Sequence, residues 1–135
     1  MFEKELDTIA LSGKEYPIKC SILVLEKIQD KYETLENFED ALSIFEDTKE
    51  NEEIRVRFPK MTALCDALYW MVQEGEEITA EEEGRKPVKY KRESLARKMD
   101  GSIFAAAQTL KREFGRSFAS KNQKTTKTEN VETNQ

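Results

Sequence analysis

The stretch from Ile9 to Tyr32 constrains the fold most, because its hydrophobic period changes from two residues to three or four within it. Leu6, Ile9 and Leu11 precede Gly13, and after it Tyr16, Ile18 and Cys20 alternate with polar neighbours, which is the pattern of a half-buried strand. A glycine tolerates the positive φ that a tight hairpin turn requires. From Ser21 onward the apolar residues recur at helical spacing. The sequence therefore predicts a β-hairpin turning at Ser12-Gly13-Lys14 that leads directly into an amphipathic helix.

The apolar positions of this stretch are the side chains that we expect in the core. Pro17 has no N–H to donate to a neighbouring strand, so it favours an edge strand over a central one. The expected core positions are Leu6, Ile9, Leu11, Tyr16, Ile18 and Cys20 in the hairpin, and Ile22, Leu25, Ile28 and Tyr32 in the helix.

A second helix is predicted after Thr34, whose hydroxyl can accept a hydrogen bond from an N–H of the first turn. The polar segment from Asp47 to Glu53 is predicted to be a surface loop. The apolar stripe of the helix consists of Leu35, Phe38, Leu42 and Phe45.

The most apolar helix is predicted from Lys60 to Glu74, and Gly75 stands where helices commonly end. A helix that is apolar on most sides lies centrally in a core or faces a partner. Beyond it, Thr79 and Glu82 have the spacing of a capping box, which predicts a separate helical turn that ends at Gly84.

Two more helices are predicted, from Arg92 to Met99 and from Ile103 to Phe118, with a break at Asp100-Gly101-Ser102. Residues 120–135 contain one apolar residue and no aromatic one, so we expect them to be disordered. The predicted fold is α+β and mainly α-helical. It consists of an N-terminal β-hairpin followed by about four to five helices, in one domain over residues 1–119, with a disordered C-terminal tail over residues 120–135.

The composition disfavours several classes of function. Apolar residues make up 38% and charged residues 36% of the 135 residues, and no apolar run approaches the roughly 18 residues of a membrane-spanning helix. There is no histidine, no phosphate-binding loop and no nucleophile elbow. Cys20 and Cys65 have apolar neighbours, as buried thiols in a reducing compartment do. We therefore expect a cytoplasmic protein that is not an enzyme and uses no cofactor, metal or membrane.

The net charge of −5 conceals an asymmetry along the chain. Residues 26–53 contain eleven acids and three bases, whereas residues 84–127 contain thirteen bases and three acids. Such a distribution can support self-association or attract a charged partner, and equally it can form two solvated faces of one domain.

Large apolar side chains are more numerous on the late helices than a small core obviously requires. An exposed group of them would mark a site for a protein partner, although each one taken singly can also belong to the core. The candidates for partner binding are Tyr69, Trp70, Met71, Phe104, Phe114 and Phe118.

Residues 85–98 offer a different function, that of a small nucleic-acid-binding regulator. Basic side chains with an aromatic one among them can contact phosphates and stack a base. The acidic net charge of the whole chain disfavours this alternative. The segment contains Arg85, Lys86, Lys89, Lys91, Arg92, Arg97 and Lys98, with Tyr90 between them.

Three stretches together resemble the tail assembly chaperones of long-tailed, siphovirus-type bacteriophages. They read GKEYPIK at residues 13–19, SILVLEKIQDKY at residues 21–32 and LENFEDAL at residues 35–42, and the likeness continues more loosely to Phe118. The resemblance implies a protein that binds the long helical tape-measure protein in the host cytoplasm. It would keep that partner soluble during tail morphogenesis and be absent from the mature virion.

The resemblance also implies a longer product, made by ribosomal frameshifting near the C-terminus, whose added domain recruits the tail-tube protein. A pair such as Lys121-Asn122 can be encoded by an A-rich slippery heptamer, and a disordered tail would serve as a linker. Several copies on one partner, or a homo-oligomer, are compatible with this function. A gene without a slippery run between codons 110 and 135 would contradict the frameshift.

Overall fold

The computed structural model describes the backbone of residues 6–48 and 53–133, with side chains described over residues 6–46 and 54–118. Two antiparallel hairpins, β1–β2 and β3–β4, accompany five helices. The predicted fold class, mainly α-helical with an N-terminal hairpin, is confirmed. The elements are β1 (Asp7–Leu11), β2 (Lys14–Ile18), α1 (Ile22–Tyr32), α2 (Leu35–Leu42), β3 (Phe45–Thr48), β4 (Glu53–Val56), α3 (Met61–Glu83), α4 (Arg92–Arg97) and α5 (Ile103–Thr133).

The first hairpin turns over two residues, Ser12 and Gly13, with Leu11 opposite Lys14. Both turn residues have positive φ, 51° and 80°, which matches the twist of the flanking strands. The Ser12 N–H donates to the Asp100 carboxylate (3.2 Å), and the Ser12 hydroxyl donates to the Lys98 carbonyl (3.1 Å). The turn is thus fixed to the segment that connects α4 to α5.

The predicted core positions of this region are confirmed with two corrections. The hairpin positions that are at most 5% exposed are Ile9, Leu11, Tyr16, Ile18 and Cys20. The prediction for Leu6 is wrong, since its side chain is only partly buried and lies outside the core cluster. Ser21 caps α1 with its hydroxyl. The prediction for Ile22 is wrong, since its side chain is 64% exposed. The buried face of α1 is centred on Val24 and Ile28, and Ile22 lies off that face.

The second helix begins as predicted, with the Thr34 hydroxyl accepting from the Asn37 N–H (3.0 Å). It ends at Leu42, so Phe45 does not belong to its stripe but opens β3. The predicted surface loop from Asp47 to Glu53 is wrong at both ends, which lie in β3 and β4. The middle of that loop, residues 49–52, lies outside the described residues. A polar composition does not exclude strands, because strands that face water tolerate charged side chains.

The predicted break at Gly75 is also wrong, because α3 is one helix of 23 residues. A β-carbon on Gly75 would collide with the Pro17 carbonyl group, lying 2.5 Å from its carbon and 2.9 Å from the Ile18 nitrogen. The Lys19 N–H donates to the Met71 carbonyl at the same contact (3.1 Å). Gly75 is therefore a packing glycine that lets α3 approach the backbone of β2, and not a helix end.

It follows that the predicted capping box at Thr79 and Glu82 starts no new helix, since both residues lie within α3. Gly84 ends the helix as predicted, in the left-handed conformation with φ 70°. The helix packs against β2, α1, α2, α4 and α5 and is the central element of the core.

The last two helices also begin where predicted. Leu95 of α4 is fully buried, and the Ser102 hydroxyl accepts from the Ala105 N–H in the first turn of α5 (3.1 Å). The backbone of α5 continues as helix to Thr133, beyond the predicted end at Phe118. The domain boundary at residue 119 and the disorder of residues 120–135 stay predictions.

Candidate partner-binding surface

The six side chains predicted to bind a partner divide into two groups. Met71 and Phe114 are 0% exposed and belong to the core, so in this conformation they offer a partner no surface. The remaining four are half-buried and pack against the core with one side only: Tyr69, Trp70, Phe104 and Phe118. Partner binding by these four stays a prediction.

Three of the seven basic side chains of segment 85–98 pair with acids of α3. The Arg85 guanidinium lies 2.6 Å from a carboxylate oxygen of Glu76, whose side chain is only 8% exposed. Arg85 also pairs with Glu83 (2.7 Å), and Lys89 pairs with Glu77 (2.6 Å). These pairs hold residues 85–91, which we call the basic strap, along the C-terminal half of α3.

Backbone groups of the basic strap complete the attachment. The Val88 N–H donates to Glu76 (2.8 Å), and the Tyr90 N–H donates to the Gln73 side-chain oxygen (2.8 Å). The hydrogen bond from Arg85 lowers the pKa of Glu76 despite its burial. The basic strap is therefore attached to α3 through both side-chain and backbone groups.

Tyr90, the side chain predicted to stack a base, is already in a ring contact. It packs edge-on against Tyr16 of the first hairpin, with ring centroids 5.8 Å apart, and its burial raises its pKa. Arg92 also forms an ion pair within the domain, with Asp66 at 2.9 Å. A fold-stabilising role therefore accounts for much of the pattern that suggested nucleic-acid binding.

Asp66 is a buried acid, 2% exposed, that joins three helices. It accepts from the Tyr32 hydroxyl (2.8 Å) and lies 2.7 Å from the Lys31 ammonium, both at the end of α1. Burial, reinforced by the hydrogen bond to Asp66, raises the pKa of Tyr32. With Arg92 from α4 as the third partner, the charge of Asp66 is compensated within the fold.

The second hairpin presents three exposed large apolar side chains on one face. Phe45 and Val56 lie directly opposite each other and are 46% and 62% exposed, and Ile54, two residues along the same face, is 67% exposed. Phe58 (64%) follows in the connection to α3, and Met61 (44%) is the first residue of that helix. We call these five residues the hairpin patch.

The hairpin patch is continuous with one of the predicted partner-binding residues. Phe58 stacks on Phe104 with ring centroids 5.0 Å apart and an angle of 19° between the planes. One half-buried aromatic of α5 thus extends the patch toward the core. Exposed apolar patches can mark sites for another macromolecule, so the hairpin patch is a candidate site.

The base of the second hairpin is fixed although its strands are short. The Arg57 N–H donates to the Ile44 carbonyl (2.7 Å), and the Lys60 N–H donates to the Ala41 carbonyl (2.8 Å). The Arg57 guanidinium also donates to the Ser43 carbonyl (3.0 Å). The hairpin patch is therefore carried by a two-stranded projection on a firm base.

Sequence reasoning missed the hairpin patch although a signal was present. Ile54, Val56 and Phe58 alternate with Arg55 and Arg57, which is the period of a strand with one apolar face. The acidic residues that precede this run, and the proline that follows it, outweighed that short alternation.

No helix in the described part of the chain is long and apolar enough to cross a membrane. Within the same residues, no three of the acidic and cysteine side chains are grouped so as to hold a metal ion. No disulfide joins Cys20, which is buried, to Cys65, which is half-buried. A scan against protein-family models and searches of curated proteins and of solved structures find no match to this chain.

Proposed function

We propose that this protein is a phage tail assembly chaperone that binds the tape-measure protein in the host cytoplasm and keeps it soluble until the tail forms. The observation that carries the proposal is the hairpin patch, an apolar surface on a projecting element that no other described element covers. The sequence resemblance supplies the kind of partner, and the patch supplies a place for it.

An amphipathic helix is the partner structure that suits such a surface. Its apolar stripe would lie across Ile54 and Val56 and continue over Phe58 toward Phe104, as in other helix-in-groove complexes. Lys60 is exposed between Phe58 and Met61 in the sequence and gives this end of the site a polar rim. A small apolar centre with a polar rim favours reversible binding, and a chaperone that leaves the finished particle must dissociate.

The other expectations of the resemblance belong to the same proposal. A frameshifted longer product would carry the tail-tube contact, and several copies would bind along one tape-measure chain. The nucleic-acid regulator is the weaker candidate because Arg85, Lys89 and Arg92 are paired within the domain.

Co-expression with the long tape-measure product of the same genome tests the proposal. The intact chain should raise the soluble fraction of that product, and the double variant Ile54→Ser/Val56→Ser should lose most of this effect while remaining folded. Val88→Ser is the matched control, because Val88 is 50% exposed but lies on the basic strap. A partner that is equally soluble with the double variant would contradict the proposed site. A partner that is equally soluble without the chain would contradict the proposed function.

A further inference from the structure

A second surface lies between α1 and the C-terminal half of α3. The groove between them has a volume of about 750 Å³. Leu23 of α1 and Ile78 of α3 form its apolar floor. We call it the α1–α3 groove. Its walls carry five carboxylates and two ammonium groups, from Glu26, Asp30, Glu74, Glu77, Glu81, Lys27 and Lys89.

The excess of negative charge in the α1–α3 groove is not compensated within the domain. Lys89 is occupied by Glu77 at 2.6 Å, and the Gln73 amide donates to the same carboxylate (3.0 Å). The other four acids, Glu26, Asp30, Glu74 and Glu81, form no ion pair or side-chain hydrogen bond with a described residue, and Lys27 alone opposes them. Like charges four residues apart on a helix destabilise it slightly, so both walls would gain from a cationic ligand.

The floor of the groove distinguishes it from an ordinary solvated acidic face. Leu23 is 55% exposed, and its neighbour Ile22 is 64% exposed. A second depression of about 450 Å³, lined also by Leu25 and Leu35, shares Leu23 and continues the apolar surface across α1. The surface therefore combines an apolar track with carboxylates along one side.

We infer that the α1–α3 groove binds an amphipathic helix whose apolar stripe is bordered by lysine or arginine, supplied by a protein of different sequence. The apolar stripe would cover Leu23 and Ile78, and the cations would lie between the carboxylates of the two walls. Charge complementarity selects this occupant over an acidic or neutral helix, which the walls would repel or leave uncompensated.

A second copy of this chain fits the groove less well. Residues 114–128 contain four bases and no acid, so they would supply the charge. Residues 119–128, however, contain one alanine and no larger apolar residue, so they could not cover the apolar floor. The bases of the strap that stand nearest to α3 are already paired within the domain.

Binding of a designed peptide tests the inference without any natural partner. The probe is a fluorescent helical peptide of about 18 residues with a leucine stripe bordered by lysines, and its binding to the full chain is followed by anisotropy at moderate salt. Two control peptides replace the lysines by glutamate or the leucines by serine. The lysine–leucine peptide should bind, and both control peptides should bind at least about fivefold more weakly.

Matched variants locate the binding on the protein. Glu74→Gln/Glu81→Gln and Leu23→Ser should each weaken binding of the lysine–leucine peptide about fivefold or more. Glu33→Gln/Glu36→Gln removes two exposed carboxylates, one from the turn after α1 and one from the first turn of α2, and should leave binding unchanged.

Three results would overturn the inference. The first is that the lysine–leucine peptide binds the groove variants as tightly as the wild type. The second is that the serine peptide binds as tightly as the lysine–leucine peptide. The third is a concentration-dependent self-association that the groove variants abolish, which would make a second copy the occupant. The inference does not depend on the proposed function, because Ile54→Ser/Val56→Ser should bind the peptide like the wild type. Failure at the hairpin patch and failure at the α1–α3 groove are therefore separate outcomes.

Discussion

The two hairpins of this protein have similar strand lengths and opposite environments. In the first, β1–β2, the apolar face is buried, and the backbone of Pro17 touches α3 where Gly75 leaves room. In the second, β3–β4, the apolar face of Phe45, Ile54 and Val56 remains exposed. One hairpin is part of the core, and the other projects from it.

The difference teaches that an alternating pattern defines a strand but not what covers its apolar face. In β1–β2 the cover is supplied by helices that lie far away in the sequence. In β3–β4 no described element supplies it, although two-stranded sheets are marginal in water unless something packs on them. The first hairpin therefore belongs to the core, and the exposed face of the second is the surface on which the proposed function depends.

The largest effect is expected at the contact between α3 and the first hairpin. Gly75→Ala places a β-carbon against the Pro17 carbonyl, where the neighbours are backbone atoms that cannot turn aside, so unfolding should become easier by about 4 kcal/mol. Gly115→Ala is the control, because a β-carbon there meets no atom within 4 Å, and it should stabilise α5 by about 0.5–1 kcal/mol. Urea unfolding measures both, and a Gly75→Ala protein as stable as the wild type would remove the packing explanation.

The next effect compares equivalent apolar side chains of the two hairpins. Ile18→Ala removes a side chain that is 0% exposed and should cost about 3 kcal/mol. Val56→Ala removes one that is 62% exposed and should cost less than about 0.5 kcal/mol. Similar losses in the two variants would show that the second hairpin is packed after all and would weaken its assignment to binding.

A smaller effect concerns the basic strap, which packs on the first hairpin through Tyr90 and Tyr16. Because Arg85 lowers the pKa of Glu76 below 4.5 in the folded state, the unfolded chain takes up its proton first as the pH falls. The contribution is complete above about pH 4.5 and is lost as the pH falls through the folded pKa. Glu76→Gln should flatten the dependence of the unfolding free energy on pH between pH 5 and pH 3, which urea unfolding at several pH values measures. An unchanged profile would show that the pair adds no stability.

The smallest effect is one of local opening without loss of the fold. Amide hydrogens of β1–β2 should exchange only with global unfolding, whereas those of β3–β4 should exchange through local fraying. Hydrogen exchange resolved to single amides measures the contrast. A tape-measure fragment bound at the hairpin patch should slow exchange in β3–β4 alone, and slow exchange there in the free protein would remove the contrast between the hairpins.

The features that could be predicted from the sequence are those whose cause is local. The turn at Gly13, the cap at Thr34 and the helix end at Gly84 depend on φ angles and hydrogen bonds within a few residues, and all three are confirmed. Gly75 could not be read correctly, because the reason for a glycine there is a contact with Pro17 in another element.

The candidate site was predicted less well than the fold, for a related reason. Spacing along a helix shows which side chains share a face but not which face another element covers. Met71 and Trp70 are adjacent, yet Met71 is fully buried and Trp70 is half-exposed. Ile54 and Val56 are exposed because no other described element packs on them, and a sequence pattern does not show which faces other elements cover.

The ties between the two ends of the domain set the order in which a growing chain can fold. The carboxylate of Glu113 accepts from the Cys20 N–H (3.0 Å), and Arg116 pairs with Asp7. A nascent chain on the ribosome cannot form these contacts around the first hairpin until residues 113–116 have left the exit tunnel. Any sequence added after the C-terminal segment would therefore emerge behind a domain whose last core contacts have already been synthesised.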